Sequence, residues 1–175
     1  MRRSRLVCLG LLLSAAFIGC GKSSDGKSAG RKAAPAFDLP TVGGGRARMQ
    51  DLRGKVVLLD FWASYCGPCL EAMPELQGLL ERRRSQGLEV LGVGLESSEG
   101  LAAEFLRAAG VRYPSVLDVD GAVSRSYGVR GLPTAILIGK DGSVRRVWTG
   151  YEPGLIQEID AAASALLEEG TVRGG

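Results

Sequence analysis

Two cysteines separated by two residues, Cys66-Gly67-Pro68-Cys69, are the side chains of this sequence best suited to covalent chemistry. A thiolate attacks a disulfide sulfur, and a second thiol nearby can displace it again, so the pair suits thiol–disulfide exchange. The same spacing could close an inert structural disulfide or supply half of a zinc site. Zinc takes four ligands, usually Cys or His. The chain has no histidine, and its remaining two cysteines, Cys8 and Cys20, both fall within a leader. Exchange chemistry is therefore the reading carried forward, with no metal and no cofactor expected. Asp60, six residues before Cys66, is the one carboxylate on an apolar run. Burial of a carboxylate is costly and raises its pKa, which would let Asp60 accept the Cys69 proton directly or through water. Glu71 is expected to be a solvated surface residue.

The elements that must position these groups are legible around them. Val56 to Leu59 is β-branched and apolar and reads as a buried strand. Beyond Trp62 the period changes: Cys69, Met73, Leu76 and Leu80 recur along one face of a helix. The cysteines thus sit where a strand hands over to a helix. Free N–H groups and the dipole of a first helical turn favour an anion, so the Cys66 thiolate is expected to form below the free-thiol pKa of about 8.5. Pro68 suits that first turn because its missing N–H would have had no partner there. Cys69 lies on the apolar stripe and should be the shielded sulfur, with Cys66 exposed.

The rest follows in order. Pro35 to Leu39 and Arg46 to Met49 flank Gly43-Gly44-Gly45 and read as a short hairpin. Pro74 should kink the cysteine helix. Glu89 to Leu95 is a strand whose alternating glycines suggest close approach of a neighbouring backbone. Ser98 to Ala109 reads as a helix closed by Gly110, and Ser115 to Leu117 as a short strand. Asp118-Val119-Asp120-Gly121 lacks the further ligands of a calcium loop and reads as a turn. Ala122 to Tyr127 is a helical turn. Thr134 to Ile138 and Val144 to Trp148 are strands joined by Lys140-Asp141-Gly142. Leu155, Ile159, Ala162 and Leu166 mark a last amphipathic helix.

Phe61-Trp62-Ala63-Ser64-Tyr65-Cys66-Gly67-Pro68-Cys69, with Pro74 and Gly131-Leu132-Pro133-Thr134, resembles the thioredoxin family. The element order resembles its TlpA/ResA-like group of membrane-anchored, extracytoplasmic disulfide reductases, over roughly residues 35–170. The resemblance implies an α/β thioredoxin fold, a mixed sheet flanked by helices, with an N-terminal hairpin and a central αβ insertion. It implies that Pro133 follows a cis bond and faces the cysteines. The Leu132 backbone would then pair with an extended substrate, and Trp62, Tyr65, Gly67 and Pro68 would complete the substrate-binding surface. Trp62 and Tyr65 are expected to pack around the site rather than react. Thioredoxins carry an aspartate at the place of Asp60. TlpA/ResA-like proteins more often have asparagine there and a glutamate three residues after the second cysteine, where this chain has Ala72.

At 175 residues the chain suits one domain with appendages. The formal charge of +3 comes from its N-terminal segments: from Pro35 onward 15 basic residues face 18 acidic ones, a net −3, and nothing suggests nucleic acid. Residues 1–20 have a basic start and an apolar run, Leu6 to Ile18, that is too short to span a bilayer and fits a secretory signal. It ends in Phe17-Ile18-Gly19-Cys20, which resembles a bacterial lipobox, so Cys20 is expected to carry lipid. Residues 21–34 read as a flexible tether, and 35–175 as the thioredoxin-like domain.

The resulting expectation is a monomeric, lipid-anchored protein-disulfide reductase on the extracytoplasmic (periplasmic) side of a bacterial envelope. Its substrates would be disulfide-bearing proteins, as in cytochrome c maturation, and a membrane thiol donor would re-reduce it. Two alternatives stand beside this: a peroxiredoxin-like peroxidase, which needs an arginine-lined pocket, and a non-catalytic thioredoxin-fold lipoprotein or adaptor.

Overall fold

A computed structural model of the chain describes residues 31–169. The leader with Cys8 and Cys20, and the tether as far as residue 30, lie outside the described residues. The central element is β3 (Val56–Trp62), buried along its whole length. Its residues divide by parity, as a strand requires. Val56, Leu58 and Trp62 join one apolar cluster, and Val57, Leu59 and Phe61 join a second on the opposite face of the sheet. Asp60 shares the parity of the first set. Burying a Val, Leu or Phe side chain contributes about 1.5–3 kcal/mol, so the apolar neighbours in β3 together outweigh one costly carboxylate.

The main sheet has five strands in the order β5-β4-β3-β6-β7, with β4 at Leu88–Gly94, β5 at Ser115–Leu117, β6 at Thr134–Ile138 and β7 at Val144–Thr149. β3 and β4 pair in parallel, as do β4 and β5, whereas β6 runs antiparallel to both β3 and β7. Helices α1 (Gly67–Arg83), α2 (Glu99–Ala108) and α4 (Leu155–Glu168) place apolar residues in the first cluster. Helix α3 (Ala122–Tyr127) and the hairpin of β1 (Asp38–Pro40) and β2 (Arg46–Arg48) cover the other face. This is the thioredoxin fold with the N-terminal hairpin and central αβ insertion that the element order suggests.

Two local expectations change. Residues 32–34 do not hang free as tether. Val144 N–H donates to Lys32 O and Ala34 N–H to Gly142 O, both at 2.9 Å, because the β6–β7 turn offers unpaired backbone groups beside them. The glycines of β4 accommodate a side chain rather than a backbone. A Cβ on Gly94 would lie 2.7 Å from the Trp62 ring, and one on Gly92 would collide with Ser115 Oγ and lie 2.8 Å from Trp62 Nε1. The indole lies flat over β4 in the space two side chains would fill, with Phe105 stacked on it at 5.1 Å between ring centroids.

Candidate active site

Cys66 is the N-cap of α1, with extended backbone angles, and Pro68 lies in the first helical turn. The two sulfurs form a disulfide, S–S 2.00 Å, with Cα atoms 5.4 Å apart. Cys69 is fully buried and Cys66 keeps 6% of its surface. The expected ranking holds, but Cys66 is far less exposed than anticipated: it belongs with Cys69 to the buried cluster on the α1 side of the sheet. What surface Cys66 retains opens into a groove of about 500 Å³. Tyr65, Gly67 and Pro68 form one wall, and Leu95, Val129, Arg130, Gly131 and Leu132 the others. The Leu132-Pro133 bond is cis. Pro133 is buried behind that wall.

Tyr65 is 78% exposed at the rim. Trp62, in contrast, has no exposed surface and lines no part of the groove. Its place as a substrate contact is corrected: it packs beneath the site, since the glycines of β4 draw its ring into the core. Glu71 is exposed and Ala72 buried, in line with the α1 periodicity.

Asp60 is 1% exposed on the α1 side of the sheet, the side that holds Cys69. Desolvation pushes its pKa up to about 6, opposed by a hydrogen bond that Tyr113 donates to its Oδ2 at 2.8 Å. The Tyr113 phenol is itself pushed well above its ordinary value, first by burial and then by the Asp60 charge. A carboxylate with a pKa near neutrality, on the face of a shielded thiol, is suited to exchanging a proton with it.

Besides the groove residues Leu95, Val129 and Arg130, two buried residues of this neighbourhood escaped the sequence reading. Tyr113 lies 53 positions from its partner. Glu96, just past β4 and 6% exposed, accepts the Ser64 N–H and so braces the loop leading to Cys66. The general signal for Tyr113 was present: a buried carboxylate needs a donor. Nothing local indicated which residue supplied it.

Comparison with known proteins places this geometry. The model of the AhpC/TSA family matches residues 31–147. Thiol-disulfide oxidoreductase ResA of Bacillus subtilis is 37% identical over 147 residues, covering 83% of this chain and 79% of the relative. ResA of Geobacillus thermodenitrificans is 38% identical over 117 residues, 67% of each chain. The crystal structure of a thiol:disulfide interchange protein DsbE from Chlorobium tepidum is similar with a TM-score of 0.75 and 34% identity, over 78% of this chain and 96% of that one. With a Cys-x-x-Cys pair at the head of α1 in a thioredoxin fold, the chain belongs to the ResA-like thiol-disulfide oxidoreductases.

Proposed function

We propose that the protein reduces disulfides of extracytoplasmic proteins. Cys66, the N-cap sulfur that opens into the groove, attacks the substrate disulfide and forms a mixed disulfide. Cys69 gives its proton to Asp60 and attacks the Cys66 sulfur, which expels the substrate thiolate and leaves Cys66–Cys69 oxidised. Two electrons pass from the dithiol to the substrate, and a membrane thiol donor restores them. The groove beside Tyr65, Gly67, Pro68 and Leu132 receives the substrate, with Pro133 behind it. Lipid on Cys20, which becomes the N-terminus once the segment before it is removed, holds the monomeric domain at the membrane. Among the described residues no helix is long and apolar enough to cross it. Cytochrome c maturation is one process that needs such a reductant.

The observation that carries this reading is the sulfur pair itself: one sulfur at the groove and the N-terminus of α1, the other sealed on the face of the sheet that also buries the Asp60 carboxylate. The helix end favours the Cys66 thiolate over that of Cys69. Cys69→Ser should accumulate a mixed disulfide with substrate that dithiothreitol releases, and the wild type should speed insulin reduction by dithiothreitol. A protein that does neither is a non-catalytic member of the fold. Peroxide consumption without insulin reduction would favour the peroxidase alternative.

A further inference from the structure

Tyr113 lies just before β5, yet its side chain crosses β4 to reach β3. Its hydroxyl donates to Asp60 Oδ2 at 2.8 Å, and both side chains are buried, at 3% and 1% exposure. Asp60 pairs with Gly92, and Gly92 with Ser115, so β4 adds no side chain of its own to this row, and the space over Gly92 is taken by Ser115 Oγ and the Trp62 indole. The Tyr113 backbone is tied to the cysteine helix: Gln77 Oε1 accepts the N–H groups of Arg112 at 2.9 Å and Tyr113 at 3.2 Å. A link thus runs from α1 through Gln77 and Tyr113 to Asp60.

We propose that Tyr113 is the positioning residue for proton transfer in the resolving step. Its phenol holds Asp60 as a carboxylate within an apolar face and occupies Oδ2, leaving Oδ1 to take the Cys69 proton. This rests on the reading of Asp60 as the acceptor. In the step, the Cys69 S–H bond breaks and an O–H bond forms on Asp60. The Cys69 thiolate then closes the Cys66–Cys69 bond while the substrate sulfur leaves with the electron pair of the mixed disulfide. The substrate thiolate takes its proton from solvent, and Asp60 returns its own there. Asp60 is flanked by Tyr113 on the β5 side, Gly92 on β4 and Ala135 on β6, and the cluster on this face includes Cys66 and Cys69; burial and Tyr113 alone shift its titration.

A hydrogen bond to an ionised group stabilises the charged form enough to move its pKa by roughly one to two pH units. In Tyr113→Phe the acid limb of the resolution rate should therefore move from near pH 6 up toward neutrality or beyond. Resolution at pH 7 should slow roughly two- to tenfold and recover by about pH 9, while the first attack by Cys66 stays unchanged. The test is rapid acid quench of the reduced protein with a peptide disulfide from pH 5 to 9, in wild type, Tyr113→Phe, Asp60→Asn and the double variant. The Asp60 carboxyl ¹³C resonance is titrated in parallel. The proposal expects the limb and the resonance to move together in Tyr113→Phe, and no further effect of Tyr113→Phe in the Asp60→Asn background. A limb that depends on Asp60 but stays in place in Tyr113→Phe overturns the role of Tyr113 alone. No limb in the wild type, with Asp60→Asn unchanged, overturns the acceptor reading and Tyr113 with it. Should Tyr113→Phe fail to fold, the Tyr113 Cζ resonance of the wild type decides: it must report a titration near pH 6, and a flat response refutes the link.

Discussion

Replacing Asp60 with asparagine separates what this carboxylate does for stability from what it does for chemistry. Its pKa rises from 3.8 to about 6 on folding, mainly through desolvation. A raised folded-state pKa means that the native state binds the proton more tightly. The group's favourable contribution is therefore complete below pH 3.8 and is lost as pH rises through about 6. At 1.36 kcal/mol per pH unit, the charged carboxylate costs the native state about 3 kcal/mol at neutral pH relative to the protonated form. An asparagine in its place cannot ionise, so this pH dependence should vanish. The variant's stability minus the wild type's should climb by about 3 kcal/mol between pH 3.8 and 7.5. Against that stands the introduced amide, whose N–H groups lack an evident acceptor and cost about 1–3 kcal/mol if unpaired. At pH 7.5 the variant should be neutral or more stable. Resolution of the mixed disulfide should meanwhile slow roughly ten- to a hundredfold, at the low end for loss of a general base. Glu71→Gln, on the exposed side of α1, should change neither. Urea denaturation of the oxidised proteins across this pH range, with acid-quench kinetics, measures both quantities. A variant strongly destabilised at pH 7.5 yet unimpaired in resolution would make Asp60 structural and send the proton by another route.

Alkylation of the reduced protein at neutral pH should modify Cys66 well before Cys69, read by mass spectrometry of peptides; the reverse order would overturn the assignment of the attacking sulfur. Cys20→Ala should leave unprocessed precursor or release the protein from the membrane fraction, whereas a fully soluble wild type without lipid by mass spectrometry would remove the anchor. Gly92→Ala should destabilise the domain by about 1–3 kcal/mol, because the new methyl group meets Ser115 Oγ and the Trp62 indole in a packed core; an unchanged urea midpoint would show that the ring is free to shift.

What could be read from the chain alone was whatever depends on near neighbours. The Cys66–Cys69 spacing, the shift from strand to helical period after Trp62, the stripe through Cys69, Met73, Leu76 and Leu80, and the Lys140-Asp141-Gly142 turn are all set within a few residues. Each corresponds to an element or turn in the structure. Asp60 stood out because one carboxylate in an apolar strand is a local anomaly. Its partner and the other groups that build the site are distant in sequence. Tyr113 reaches it across β4, Glu96 braces the Ser64 loop from 32 positions away, and Leu95, Val129 and Arg130 meet at the groove only once β4 and the segment before β6 lie beside α1. Even the glycines of β4 were visible while their purpose was not, since only the sheet register brings the Trp62 ring over them. Propensity and period act over one or two turns of chain, whereas solvation, hydrogen-bond partners and the room for a ring are properties of the assembled sheet. That is why the identity of the reactive sulfurs was legible in the sequence, and the environment of the buried Asp60 carboxylate was decided by tertiary structure.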